Sequence, residues 1–441
     1  MYRRKRKRSI HFGMIILIFV FAAMGIRMVK IKSEESEVIR AIEESDLDEL
    51  ISDNDGIEND TKIRVLIMGN GYKGEVHSEV RLSSKAEMCI VVGKKKEFID
   101  AGEILVIEPD DEKFDNGKIR ISSEKKITIA SLERAYGNPS YEGVIELRTT
   151  AEGIVVINEL SVEKYLKAVV PSEMPASYEL EALKAQAVCA RSYAYRQMEE
   201  FAYPEYKAHV NDSTDFQVYG NSKSQKRSNQ AIKETKGEVL CYNDEIATAY
   251  YYSTSCGKTT DIRAWGTKKS EGNAYLTSVN VKGKYGDYEK KLPWYRWRAE
   301  IPVQTLSNLI GINTGKDIGL LEKIEVTRRG GGNVAIEMKA IGDKGTVTVY
   351  TENKIRVALG GSGYQIILND GSVTDSRELL PSAFFMVEKS GDVFVIEGGG
   401  FGHGIGMSQN GANEMAKQEA DYEEILELFY KDIEIRKVDK K

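Results

Sequence analysis

The sequence predicts an α+β protein: an N-terminal membrane helix, a β-rich accessory region, then a mixed α+β core with a buried alanine-rich helix and a groove. Three observations point there. A run of six basic residues, Arg3 to Arg8, precedes fifteen uncharged ones, Phe12 to Ile26. Residues 61–150 break into short runs such as IRVLIMG, EILVIEP and GVIELRTT, separated by Gly, Asp and Lys clusters, which is strand patterning. Beyond residue 151 helix-like and strand-like stretches mix, and one of them, LEALKAQAVCARSYAYRQ, is small on nearly every face.

Composition narrows the function. A chain of 441 residues has room for two or more domains and a sizeable core. Its 41% apolar and 29% charged residues are ordinary for a globular protein. A net charge of −6 gives the body no general attraction for nucleic acid. The four cysteines match no zinc spacing. Cys189 reads as a small buried hydrophobe, whereas Cys241 and Cys256 are either bridged or free.

Residues 1–8 read as a basic tail and residues 9–29 as the expected membrane helix. Basic residues stay on the cytoplasmic side, so the rest of the chain should face outward. The strictly apolar run is shorter than the roughly 20 residues of a full span. Ser9, Ile10, Met28 and Val29 extend it, and Arg27 can snorkel. A cleaved signal peptide is the alternative, although Ala23-Met24-Gly25 is a weak cleavage pattern. Residues 30–60 read as an acidic linker. Residues 61–150 carry no cluster with chemistry, and His77 reads as ordinary surface.

The core, residues 151–433, opens with a strand from Gly153 to Asn158, and Ser161 can cap a short helix through Tyr165 and Leu166. Glu173 follows in an extended stretch between Pro171 and Pro175, since Met174 precedes a proline. Ser177 is the expected N-cap of the next helix, with Glu179 and Glu181 in its first turn and no proline or glycine until Pro204. Ala182, Ala185, Ala187, Ala190, Ser192 and Ala194 make this helix small all round, so it should be buried. Gln186 and Arg191 inside it are either satisfied by neighbours or line a wet groove.

The polar loop HVNDSTDFQVYG, residues 209–220, holds Asp215, Gln217 and Tyr219. A helix is expected over 226–236, then a strand pair turned at Asn243-Asp244. Tyr250-Tyr-Tyr-Ser-Thr-Ser255 reads either as a good strand former or as a sugar-binding wall. Trp265, Trp294 and Trp297 suit either a carbohydrate face or a core. Residues 301–390 read as a helix near 303–311 followed by strands. A last strand enters the glycine loop of FGHGIGMSQNGA, with a helix capped near Ser408. No G-x-G-x-x-G register and no G-K-[ST] can be placed there, which removes the nucleotide reading. His403, framed by glycines, is a site candidate, and no internal repeats are evident.

VVPSEMP followed by LEALKAQAVCARSYAY resembles the signature of the stage II sporulation protein D family, membrane-anchored bacterial lytic transglycosylases that degrade the cell wall. HVNDSTDFQVYG and FGHGIGMSQNGA fit the same pattern, and the resemblance spans roughly residues 151–433. It implies that Glu173 is the catalytic acid/base. It implies that Gln186, Arg191, Gln217, Tyr219, Tyr252, Ser253, Thr254, His403, Gly404, Ser408 and Gln409 contact the substrate. Tyr252 stands where many relatives carry a histidine. The implied substrate is peptidoglycan glycan stripped of stem peptides, cut to 1,6-anhydro-muramic ends during engulfment in a spore-forming bacterium. The implied partners are a cell-wall amidase and other membrane-bound sporulation proteins. No cofactor, metal or nucleic acid is implied, and the body would be held outside a septal or mother-cell membrane by a single span. A non-catalytic glycan-binding scaffold or amidase enhancer is the alternative, and a membrane-tethered structural protein is a third reading.

The residues allow a one-acid mechanism. No nucleophile elbow and no adjacent histidine pair for a metal is present. Ordinary glycosidases use two carboxylates, but a tethered sugar hydroxyl can replace the second. Burial among Pro171, Met174 and Pro175 would raise the Glu173 pKa, and a following helix N-terminus would lower it.

Overall fold

A computed structural model describes residues 61–220 and 222–438, within a compact unit spanning Asp60–Lys441. The expected basic tail, membrane helix and acidic linker lie outside the described residues. Among the described residues no helix is long and apolar enough to cross a membrane. The architecture of the described residues is α+β, with seven helices and several sheets.

The largest sheet has eight strands. Its path runs Val210–Asn211, Lys62–Ile67, Gly153–Ser161, Val144–Thr150, Ile119–Ser123, Met88–Val92 and Lys95–Ile99, with Val76–His77 also against Gly153–Ser161. Lys62–Ile67 runs antiparallel to Gly153–Ser161 over six positions, Lys62 opposite Ser161 and Ile67 opposite Val156. Its centre is buried on both faces. Ile63, Val65 and Ile67 join the main core, while Leu66 packs with Val155, Ile157 and Ala208 on the other side. The β-rich stretch 61–150 therefore shares one sheet with the first strand after it.

Three helices follow from that sheet: α1 (Val162–Glu173), α2 (Leu180–Gln197) and α3 (Lys226–Glu234). α1 is longer than the sequence suggested. It continues through Pro171 to Glu173, which was expected in an extended stretch. Pro171 sits in the last turn, where its missing N–H removes a single intrahelical bond. Met174 does turn extended, with φ −130° and ψ 132°. α2 starts two residues later than Ser177 would have set it, with Glu179 at the N-cap. The side chain of Asn413 accepts from the Glu179 backbone N–H at 2.9 Å, so tertiary contact rather than a local hydroxyl caps it.

α2 is buried as its composition demands, with α1, α3 and strand Glu238–Tyr242 against it. The Asn243-Asp244 turn forms, both residues at positive φ (51° and 64°), which suits a tight hairpin. Helix α4 (Val303–Thr314) and strands Leu321–Arg329, Ala335–Gly342 and Gly345–Tyr350 appear where expected. Helix α5 (Glu352–Leu359) follows, and a five-stranded sheet places Trp297–Pro302 beside Val393–Gly398. Helices α6 (Gln409–Ala416) and α7 (Tyr422–Phe429) close the chain against α2.

His77 is not surface. It is 8% exposed and bonds the Ile67 carbonyl through Nε2 at 2.9 Å, because its short strand covers the end of Gly153–Ser161. All four cysteines are free thiols, and Cys189 is a buried packing residue beside the Tyr430 hydroxyl.

Candidate active site

The site is assembled where three segments meet. Tyr251–Tyr252 forms a parallel pair with Met407–Ser408, which brings the glycine loop beside the tyrosine strand. Thr254 and Phe401 bond each other's backbone on one side of this pair, and the Thr260 N–H donates to the Gly404 carbonyl on the other. Gly402, Gly404 and Gly406 have φ of 117°, 81° and 73°, a run of left-handed backbone that only glycines carry cheaply. A Cβ on Gly406 would lie 2.0 Å from the Tyr250 carbonyl oxygen.

At the C-terminus of α1 the Glu173 carboxyl is half-buried. Its Oε1 accepts from the Val218 backbone N–H at 2.7 Å, and the Tyr251 hydroxyl donates to it. Burial pushes its pKa up to about 7 against the opposing pull of these two bonds. The negative end of the α1 dipole lies at this residue and acts in the same direction as burial. The sequence had suggested the opposite sign, from the helix that follows. No neighbouring carboxylate contributes to the shift.

A chain of donors holds the tyrosine. Gln217 Nε2 donates to the Tyr251 hydroxyl at 3.0 Å. His403 joins its ring to backbone at both nitrogens: Nδ1 accepts from Ile405 N–H at 3.1 Å, so Nε2 carries the proton to the Tyr251 carbonyl at 3.0 Å. Burial pulls the His403 pKa down to about 3, so the ring stays neutral and acts as a brace. Gln409 Nε2 donates to the Glu173 carbonyl at 3.1 Å and to Gln186 Oε1 at 3.3 Å. Gln186 Nε2 is buried without a partner among the described residues.

Residues 150–242 match the sequence model of the stage II sporulation protein family, and residues 268–406 match one described only as a domain of unknown function. Stage II sporulation protein D of Bacillus amyloliquefaciens is 30% identical over 64% of this chain and 76% of its own. The chain belongs to the stage II sporulation protein D family. The Bacillus subtilis stage II sporulation protein D is 28% identical over 68% of this chain and 84% of its own. An amidase enhancer of the same organism is 29% identical over 60% of this chain but only 39% of its own length.

Within this member of the sporulation protein D family, the expected site residues divide. Glu173, Gln186, Gln217, His403 and Gln409 converge. Arg191 does not. It is fully buried, bonds both carboxylate oxygens of Glu163 at 2.7 and 2.9 Å, and reaches the Glu238 carbonyl at 3.1 Å. Tyr219 is 1% exposed, stacked between Tyr141 and Tyr165, with its hydroxyl on Asn158. Tyr252 and Thr254 are buried, and the Thr254 hydroxyl is held by Asn410 at 3.0 Å. Ser408 is buried as the N-cap of α6 and donates to Glu289 at 2.7 Å. Gly404 serves the loop backbone. None of these six offers surface to a substrate. Ser253 stays partly exposed, though its carbonyl anchors Asn410 N–H at 2.9 Å.

Tyr251, the Val218 N–H and Glu289 were missed from sequence. Strand alternation turns Tyr251 and Tyr252 to opposite faces, and the three-tyrosine run gave no way to choose between the two registers. Glu289 is a second buried acid, raised to about 7 by burial and bonded by the Ser255 N–H, the Ser255 hydroxyl and Ser408. Among the described residues no group of three or more His, Cys, Asp or Glu could hold a metal.

Proposed function

We propose that the chain is a peptidoglycan lytic transglycosylase with Glu173 as its general acid and base. The observation that carries this is a half-buried carboxyl at the end of α1, bonded by the Val218 N–H and raised to about 7, on which no second carboxylate acts among the described residues. Such a group is protonated in a useful fraction near neutrality. It would donate its proton to the glycosidic oxygen as the C1–O bond breaks. The carboxylate would then take the proton of the same sugar's C6 hydroxyl as that oxygen bonds C1, closing the 1,6-anhydro ring. Tethering of the attacking hydroxyl replaces a positioned water and its carboxylate. The Val218 N–H and the Tyr251 hydroxyl would stabilise the anion between the two steps.

An aromatic path supports a sugar ligand. Tyr193, whose ionisation Glu173 disfavours, lies edge-on to Tyr250, and Tyr250 lies edge-on to Trp265. Tyr250 and Trp265 line a cavity of about 330 Å³ that also holds Arg196, Ser270 and Asn273. Rings beside hydroxyl and amide groups suit pyranose faces and their rims.

Mass spectrometry of products from denuded glycan strands tests the reading. The wild type should yield 1,6-anhydro-muramic ends, and Glu173→Gln should lose them by at least a thousandfold while keeping its melting temperature, the scale expected when an essential acid is removed. Equal product from both proteins would sink the assignment. The relative named as an amidase enhancer favours a second reading, a non-catalytic glycan-binding scaffold or enhancer of a cell-wall amidase. That reading is met if strands bind and no such ends appear with the wild type.

A further inference from the structure

A groove of about 620 Å³ opens in the C-terminal half, almost wholly within residues 268–406. Lys258, Arg296, Arg298 and Arg329 line it, and the single carboxylate in its lining, Glu397, pairs with Arg298 at 2.6 Å. The other three cations have no acidic partner among the described residues. Arg296 donates to the Cys256 and Tyr295 carbonyls at 3.0 and 2.7 Å. Arg329 donates to the Asn333 and Phe385 carbonyls, both at 2.9 Å. This excess stands out in a chain of net charge −6. Burial pulls the Arg329 pKa down, and no carboxylate offsets that pull. Phe384 and Met386 supply apolar wall between the charges.

We propose that this groove binds a chain of phosphodiester-linked polyols, an anionic polymer of the wall. Guanidinium forks match phosphate oxygens in pairs, and three uncompensated cations in one groove call for a ligand with repeated negative charge rather than one carboxylate. The apolar wall fits the carbon spacers between phosphates. The wall setting rests on the function proposed above; the anion site does not, so either can fail alone.

Titration of the full chain with a poly(glycerol phosphate) oligomer is the test, with inorganic phosphate and peptide-bearing glycan strands as the other probes. Oligomer binding should weaken at least tenfold between low and physiological salt. Lys258→Glu and Arg329→Gln should each weaken it at least tenfold, with the Glu173-dependent products unchanged. Lys258 is exposed, so its variant remains informative if Arg329→Gln fails to fold. Arg436→Gln, on the strand Glu434–Lys437 and outside the groove lining, matches the charge change of Arg329→Gln and should bind as wild type. No oligomer binding, equal binding by the groove variants, or preference for the carboxylate-bearing strands overturns the proposal.

Discussion

Glu173 and Tyr251 act against each other at the residue scale. The tyrosine donates to the carboxylate and so favours its charged form, while burial favours the neutral form. Tyr251→Phe removes only the hydroxyl. The Glu173 pKa should then rise further above 7, and the alkaline limb of activity should move to higher pH while kcat falls about tenfold. An unmoved limb would show that the hydroxyl does not touch the acid in solution. Arg191 answers a different question. Arg191→Met would strand the Glu163 carboxylate and two carbonyls, at a cost of about 3–5 kcal/mol. Thermal denaturation should show a large drop in Tm, whereas the product pattern below Tm should not change.

The glycine loop and the tyrosine strand work as a unit at the element scale. His403 ties them by its two backbone bonds, and the parallel pairing sets which tyrosine faces Glu173. Gly406→Ala should be costly twice over, through a left-handed φ of 73° and through its clash with the Tyr250 carbonyl. A loss of at least about 2 kcal/mol in urea unfolding, together with loss of activity, is expected. Retained activity would mean that the Tyr251 strand tolerates displacement. The elements themselves were mostly legible. Helices α2, α3 and α4 lie close to where the sequence placed them, and the hairpin follows from Asn243-Asp244. The end of α1 was not, because the extended backbone that Pro175 imposes is confined to Met174, and Pro171 in the last turn removes little.

The buried Glu289 and the half-buried Glu173 give the whole molecule a pH-dependent stability. Glu173 and Glu289 both titrate near 7 when folded and near the ordinary carboxylate value when unfolded. Their protonated forms are favoured in the native state, so this stability is complete below about pH 4.5 and is lost as pH rises through about 7. Urea unfolding should show lower stability at pH 8 than at pH 5. Glu289→Gln, with an amide still able to meet Ser255 and Ser408, should shrink that difference by about 2 kcal/mol. An unchanged difference would place the titration elsewhere. Sequence alone determined the α+β class, the burial of the alanine-rich helix, and the framing of Glu173 and His403, because periodicity, residue size and glycine content act locally. The tertiary structure alone decided that Arg191, Tyr219 and Ser408 hold the frame and that Tyr251 faces the acid. Those roles depend on partners far along the chain, such as Glu289 for Ser408, and on strand register, and neither is written into any local pattern.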